Sequence, residues 1–249
     1  MLRSAPHQSY GSVVQNWGPR GSRTQQRRFS MAQAARSYHH GSLRSALLDA
    51  AQSLVADQGL ARFSMREVAR KVGVSHAAPS HHFGDASGLL QALAVRGFSM
   101  LKQQITEQKQ MAVQATGVSG PEAELYAAAL AYVDFAEENP SLFRLMYRPQ
   151  AEPCNTTLEP ASNAVFAEFA RPIEQMRGRS PYTNQDAATD GISTLCLVHG
   201  IADLLIAGRL SPLAGSARAE RARLVYNLLT RDPPLKQPKP QGLSVVSNT

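Results

Sequence analysis

The 249 residues include only two cysteines, Cys154 and Cys196, and one tryptophan. The cysteines lie far apart with no metal-ligand or redox spacing, which excludes a disulfide scaffold and a zinc module and points to a reducing, cytoplasmic compartment. No run of about 18 consecutive apolar residues occurs, since the best stretch, residues 195 to 210, is broken by His199, Asp203 and Arg209. No membrane partner is therefore expected. The alternation that marks strands is missing, as is any internal repeat of useful length. So are a glycine-rich phosphate loop, a Gly-x-Ser-x-Gly elbow and paired carboxylates near a histidine, so neither an enzyme nor a cofactor nor a bound metal is expected.

Acidic residues are absent from residues 1 to 36, a stretch holding six arginines, Arg3, Arg20, Arg23, Arg27, Arg28 and Arg36. Residues 1 to 100 carry 12 Lys and Arg against 4 Asp and Glu, whereas residues 101 to 249 carry 14 against 15. The surplus therefore sits at the front, as expected of a chain whose first part meets a polyanion. With 43% hydrophobic and 18% charged residues the remainder is of globular composition. Residues 1–37 read as a disordered basic arm, with translation from Met31 as the alternative, and residues 231–249 as a disordered tail. Between them two domains are expected, 38–84 and 85–230.

Everything ordered reads as helix, so the expected fold class is all-α. Ser42 is placed to cap a first helix in which Leu43, Ala46, Leu47, Ala50, Leu54 and Val55 recur at three-and-four spacing up to Gly59. Ser64 and Glu67 have capping-box form before a short helix, Met65 to Val72. Gly73 can turn left-handed, and Ser75 can cap a third helix to Phe83. Asp85 can cap a long helix to about Gln114, and Pro121 starts another ending at Asn139. A short segment, Leu142 to Tyr147, precedes a proline-rich loop over 148–160. Ala164 to Met176 then reads as a helix interrupted by Pro172. Helices from Asp186 to Ala207 and Ala217 to Leu229 complete the pattern.

Chemistry concentrates in residues 64 to 83. A helix-turn-helix needs a small residue where its helices cross, a turn glycine four positions on, and apolar locks, and Ala69, Gly73, Val68, Val72 and Val74 fill these places. The second helix would lie in a major groove of double-stranded DNA. Its candidate contacts are Ser75, His76, Ala77, Ala78, Ser80, His81 and His82, with Ser64, Arg66 and Lys71 from the first helix. Reading His39, His40, His76, His81 and His82 as a metal site lacks a completing cysteine or carboxylate, and hydrogen bonding to DNA suits them better.

Tyr38-His39-His40-Gly41-Ser42-Leu43, Ser64 to Ala69 and Gly73 to Pro79 resemble the N-terminal domain of tetracycline-repressor (TetR) family regulators. Val198-His199-Gly200, Gly208-Arg209-Leu210 and Asn139 to Met146 resemble the branch whose C-terminal domain is named for Trp, His and Gly. The resemblance implies a homodimeric repressor acting on a palindromic operator, paired through its last two helices, with a small-molecule effector as a further partner. It also places a phosphate-contacting tyrosine and lysine where this chain has Ser80 and Ala86, which implies weaker non-specific binding unless Arg62, Arg66, Arg70, Lys71 and the arm compensate.

Candidate effector-pocket residues are Tyr132, Phe135, Met146, Tyr147, Phe166, His199 and Asp203, with Phe143 and Phe169 nearby. Such aromatics at helical spacing also serve as plain core. His199 and Asp203 stand four apart on an apolar helix, where burial requires them to bond each other, a ligand or a partner. The competing functions are a sequence-independent structural DNA binder, which leaves the neutral second half without a task, and a helical enzyme.

Overall fold

Residues 40–148, 157–177, 185–210, 215 and 217–230 are described by the structure, a computed structural model. The arm, the tail, His39 and Cys154 lie outside them. Among the described residues there is no strand. The order is α1 (His40–Gln58), a 3-10 turn (Leu60–Arg62), α2 (Met65–Val72), α3 (Ala78–Phe83), α4 (Ala86–Thr116), α5 (Pro121–Glu138), α6 (Pro140–Met146), α7 (Leu158–Arg177), α8 (Gln185–Ile206) and α9 (Arg218–Leu229). The result is all-α, a helix-turn-helix domain followed by a larger helical domain.

In the head, Leu47, Ala51, Leu54 and Val55 of α1 are buried with Val68 and Ala69 of α2 and Leu89 and Leu93 of α4. Helix α4 then continues for 31 residues, about 45 Å, into the second domain. The Asp85 carboxylate accepts the Gly88 N–H at 2.8 Å to start it, and Gly117 in the left-handed conformation ends it.

Helix α5 is the centre of the larger domain. It touches α4, α6, α7, α8 and α9, and every residue from Tyr126 to Ala136 is buried. Its alanines, Ala127, Ala128, Ala129, Ala131 and Ala136, permit close approach from several sides at once. One charge is buried with them: Asp134 accepts from Arg218 of α9 at 2.6 and 3.0 Å. Helix α6 lies close on α4 because Gly97 has no side chain, a Cβ there standing 2.7 Å from Met146 Sδ.

Several expected boundaries are corrected. Helix α1 begins at His40, so Ser42 lies in its first turn and is not the cap; extension by part of a turn changes little at a helix end. The Ser64 backbone is extended as an N-cap requires, but its hydroxyl makes no capping bond and Glu67 Oε2 is buried without a hydrogen-bond partner, so the capping box does not form. Ser75 opens a turn, its carbonyl accepting the Ala78 N–H at 3.0 Å, and α3 starts only at Ala78, where Pro79 suits the first helical turn. Pro172 does not interrupt α7. Proline cannot donate to the Glu168 carbonyl, and Lys109 Nζ takes its place, donating to that oxygen at 3.2 Å.

Candidate functional site

The turn between α2 and α3 rests on Gly73, with φ 81° and ψ 33°. Its N–H donates to the carbonyls of Ala69 (2.9 Å) and Arg70 (3.2 Å), and that of Val74 donates to Ala69 (3.0 Å). These bonds satisfy the last carbonyls of α2 and redirect the chain into α3. Pro79 is buried beneath α3, leaving Ser75, His76, Ala77, Ser80 and His81 exposed and Ala78 and His82 half-buried. Arg66 and Lys71 are exposed on α2, and Ser64 is half-buried.

The basic residues are not equivalent. Lys71 Nζ donates to Ser53 Oγ and stands 3.8 Å from Asp57 Oδ2, so contact with a phosphate requires it to leave α1. Arg62, Arg66 and Arg70 are exposed on the same domain. Ser80 and Ala86 are exposed too, and neither a short hydroxyl nor a methyl group supplies the reach or charge of tyrosine and lysine. Sequence reasoning missed Arg44, whose guanidinium carbon lies 4.9 Å from the centre of the Phe83 ring and fixes the end of α3 to α1. Its only signal was a position on the wet side of α1. Among the described residues no cluster of three or more His, Cys, Asp or Glu is placed to hold a metal ion.

In the second domain a hydrogen-bonded chain joins three of the expected effector residues. Tyr132 on α5 donates to the Tyr147 hydroxyl at 2.8 Å, and its oxygen lies 2.8 Å from His199 Nδ1 on α8. A tyrosine hydroxyl has one proton, so with that proton on Tyr147 the histidine must be the donor, carrying its hydrogen on Nδ1. The Phe143 ring stacks on His199 with centroids 5.2 Å apart, and Tyr147 meets the imidazole edge to face at 4.5 Å. Burial lowers the His199 pKa, with Asp203 pulling the other way, and pushes Tyr147 up to about 12.

The remaining expected residues are dispersed. Phe135 and Met146 are buried core, and Phe166 lies against Gly191 of α8. Asp203 is exposed, so the anticipated burial of the His199–Asp203 pair is not found, and the carboxylate acts on the half-buried imidazole only as a nearby charge. By length and composition alone Thr189–Ile206 of α8 could cross a membrane, contrary to the sequence expectation. Val198, Ile201 and Ala202 are built into the protein core instead.

Two family models match the chain: the TetR family of bacterial regulatory proteins over residues 47–93, and the tetracyclin repressor-like C-terminal domain over residues 125–228. No curated protein matches the sequence. Among solved structures, a protein of unknown function from Rhodococcus sp. RHA1 is 32% identical, with 77% of this chain and 95% of that one aligned and a TM-score of 0.63. The TetR family transcriptional regulator PfmR from Thermus thermophilus shares the fold at 19% identity, 74% and 96% coverage and a TM-score of 0.52. A TetR-like transcriptional regulator from Rhodococcus sp. RHA1 does so at 19% identity, 78% and 96% coverage and a TM-score of 0.53.

Proposed function

The chain belongs to the TetR family and is a DNA-binding transcriptional regulator, and from that premise we propose that it is a homodimeric, cytoplasmic repressor released from a palindromic operator by a small-molecule effector. The observation that carries this reading is the Gly73 turn, which presents Ser75 and His76 ahead of α3 and Ser80 and His81 on it as an exposed polar edge beside basic α2. In a major groove Ser75, His76, Ser80 and His81 would meet base edges, Ala77 and Ala78 are small enough to approach thymine methyls, and Arg66 would hold phosphate. Regulation, not catalysis, is its task.

The homodimer is supported by the outer face of α8, where Ile192 (54% exposed), Leu197 (38%) and Leu204 (45%) leave apolar area uncovered in one chain. For the effector we keep Tyr132, Tyr147 and His199 as the contact set, because Tyr147 is partly exposed and gives a solute access to the hydrogen-bonded chain. An effector acts only through unequal contact with the operator-bound and released states.

The test is selection of duplexes from a random-sequence pool by the purified protein. A palindromic motif with half-sites about 34 Å apart, or a multiple of that, is expected. Enrichment of no motif, with binding that responds to salt alone, would replace the repressor with a sequence-independent structural DNA binder.

A further inference from the structure

A groove of about 600 Å³ runs along the junction between the head and the second domain, and none of its described lining residues belongs to the His199 chain. Its volume falls within the range typical of small-molecule sites, roughly 300–1,000 Å³. Arg44 and His82 line one end, Arg96 stands further along α4, and Leu48, Phe83 and Val95 supply apolar wall. Among the described residues no aspartate or glutamate lines it, and a cleft walled by one sign of charge concentrates ligands of the other.

Arg96 has hydrogen-bonding capacity to spare. Its Nη2 is held by Asp49 of α1, while Nη1, shut off from water, has no acceptor. Asp49 is 58% exposed at its side chain, so giving up this pair costs little. A ligand carboxylate can replace Asp49 at Nη2, and a turn of the guanidinium about its last bonds would bring Nη1, which now faces away from solvent, into the same planar fork. From Gly88 to Ser99, both lining the groove, α4 rises about 16 Å away from the reading helix, which takes the Arg96 end beyond the helix-turn-helix.

We propose that this groove is a second ligand site, for an amphipathic organic anion whose carboxylate displaces Asp49 from Arg96 and whose apolar body lies against Leu48, Phe83 and Val95. The occupant touches α1 and α3 on one side and α4 on the other, and so biases the angle at which the head leaves the larger domain. The inference goes beyond the effector reading at His199 and does not depend on it.

The test uses the full-length protein without DNA, with 1-naphthoate as probe and uncharged 1-naphthylmethanol as control, both followed by titration calorimetry. Naphthoate is expected to bind one site per chain, at least tenfold more tightly than the alcohol. Arg96→Gln and the groove-filling Val95→Phe should each weaken it at least tenfold, whereas Asp49→Asn should tighten it several-fold by removing the competing carboxylate. His199→Phe should leave it unchanged, which keeps this site separate from the proposed effector chain; loss of binding in that variant would move the probe to the other site and overturn the proposal. Equal affinity for the alcohol, no effect of Arg96→Gln, or no binding at millimolar probe would each overturn it as well. If Arg96→Gln weakens binding of a selected operator while leaving naphthoate binding intact, the residue serves the DNA backbone and the small-molecule site is rejected. Melting curves on each variant check that the fold survives.

Discussion

The hydroxyl oxygen of Tyr132 and Nδ1 of His199 lie 2.8 Å apart, although 67 residues separate them in the chain. This bond ties the central helix α5 to α8, the helix whose outer face is apolar and uncovered. A change at the aromatic cluster therefore has a direct mechanical route to the surface proposed for dimerisation.

That bond gives a pH dependence with a definite sign. Burial holds the His199 pKa below its usual 6.5, so between the lowered value and 6.5 the unfolded chain takes up a proton that the fold refuses. Its contribution to stability is complete above about pH 6.5 and is lost as pH falls through that window. Glu137 acts in the opposite sense, because burial raises its carboxyl above 4.5 and the fold gives up the corresponding stability as pH rises. Urea midpoints should fall more steeply from pH 7 to pH 5 in the wild type than in His199→Phe, which retains Glu137. Parallel slopes would mean that His199 does not titrate with folding. On a selected operator, the same variant should keep its DNA affinity while losing the release response; lowered stability with intact release would make the chain purely structural.

The helix ends with a local cause were readable from sequence: Asp85 and Pro121 act on residues within one turn of themselves, and α4 and α5 start where they indicate. The left-handed Gly73 belongs with them. What failed depended on distant groups. Pro172 looked like a break because Lys109, which supplies the bond it lacks, lies 63 positions earlier. The partners of His199 were hidden in the same way, and proximity in sequence drew attention to Asp203, whose side chain points outward. Arg96 and Arg44 went unnoticed because an arginine on a helix normally reads as a solvated surface residue.

Replacing Gly73 separates strain from collision. A Cβ there would meet nothing within 4 Å, but φ is 81°. Gly73→Ala should therefore lower stability by about 1–2 kcal/mol through backbone strain alone, and Gly73→Val by more, since a β-branched residue tolerates that region worst. Chemical denaturation reads the first effect. Binding to the selected operator should be abolished in the valine variant, because the turn sets the direction of α3. A valine variant that binds normally would dissociate the turn geometry from DNA reading.

Asp134 and Arg218 form a second long-range tie, between α5 and α9. The carboxylate side chain is 6% exposed and accepts two bonds from the guanidinium, at 2.6 and 3.0 Å. Arg218→Ala leaves that charge buried without its counterion, for which a loss of about 3–5 kcal/mol is the usual scale. The double variant Asp134→Leu with Arg218→Met should recover much of the loss by replacing both charges with apolar groups of similar bulk. Urea denaturation of the two proteins tests this; an Arg218→Ala protein of wild-type stability would show that water reaches Asp134.

The apolar face of α8 makes the oligomer testable. Leu197, Gly200 and Leu204 follow at intervals of three and four and so share one side of the helix, and a Cβ on Gly200 would meet nothing within 4 Å. Two exposed leucines flanking a position without a side chain form a shallow seat into which a symmetry-related copy of the same helix can settle. A glutamate in that seat would be buried opposite its own mate, where like charges repel and lack water. Leu204→Glu should therefore sediment at micromolar concentration as the 27.0 kDa chain, while the wild type sediments at twice that mass. Its helicity and melting of the monomer should stay close to normal, since Leu204 lies outside the core. Loss of operator affinity should accompany the dissociation, because one head reaches one half-site only. Wild-type protein sedimenting solely as the single chain would remove the dimer, and with it the expectation of a palindromic operator.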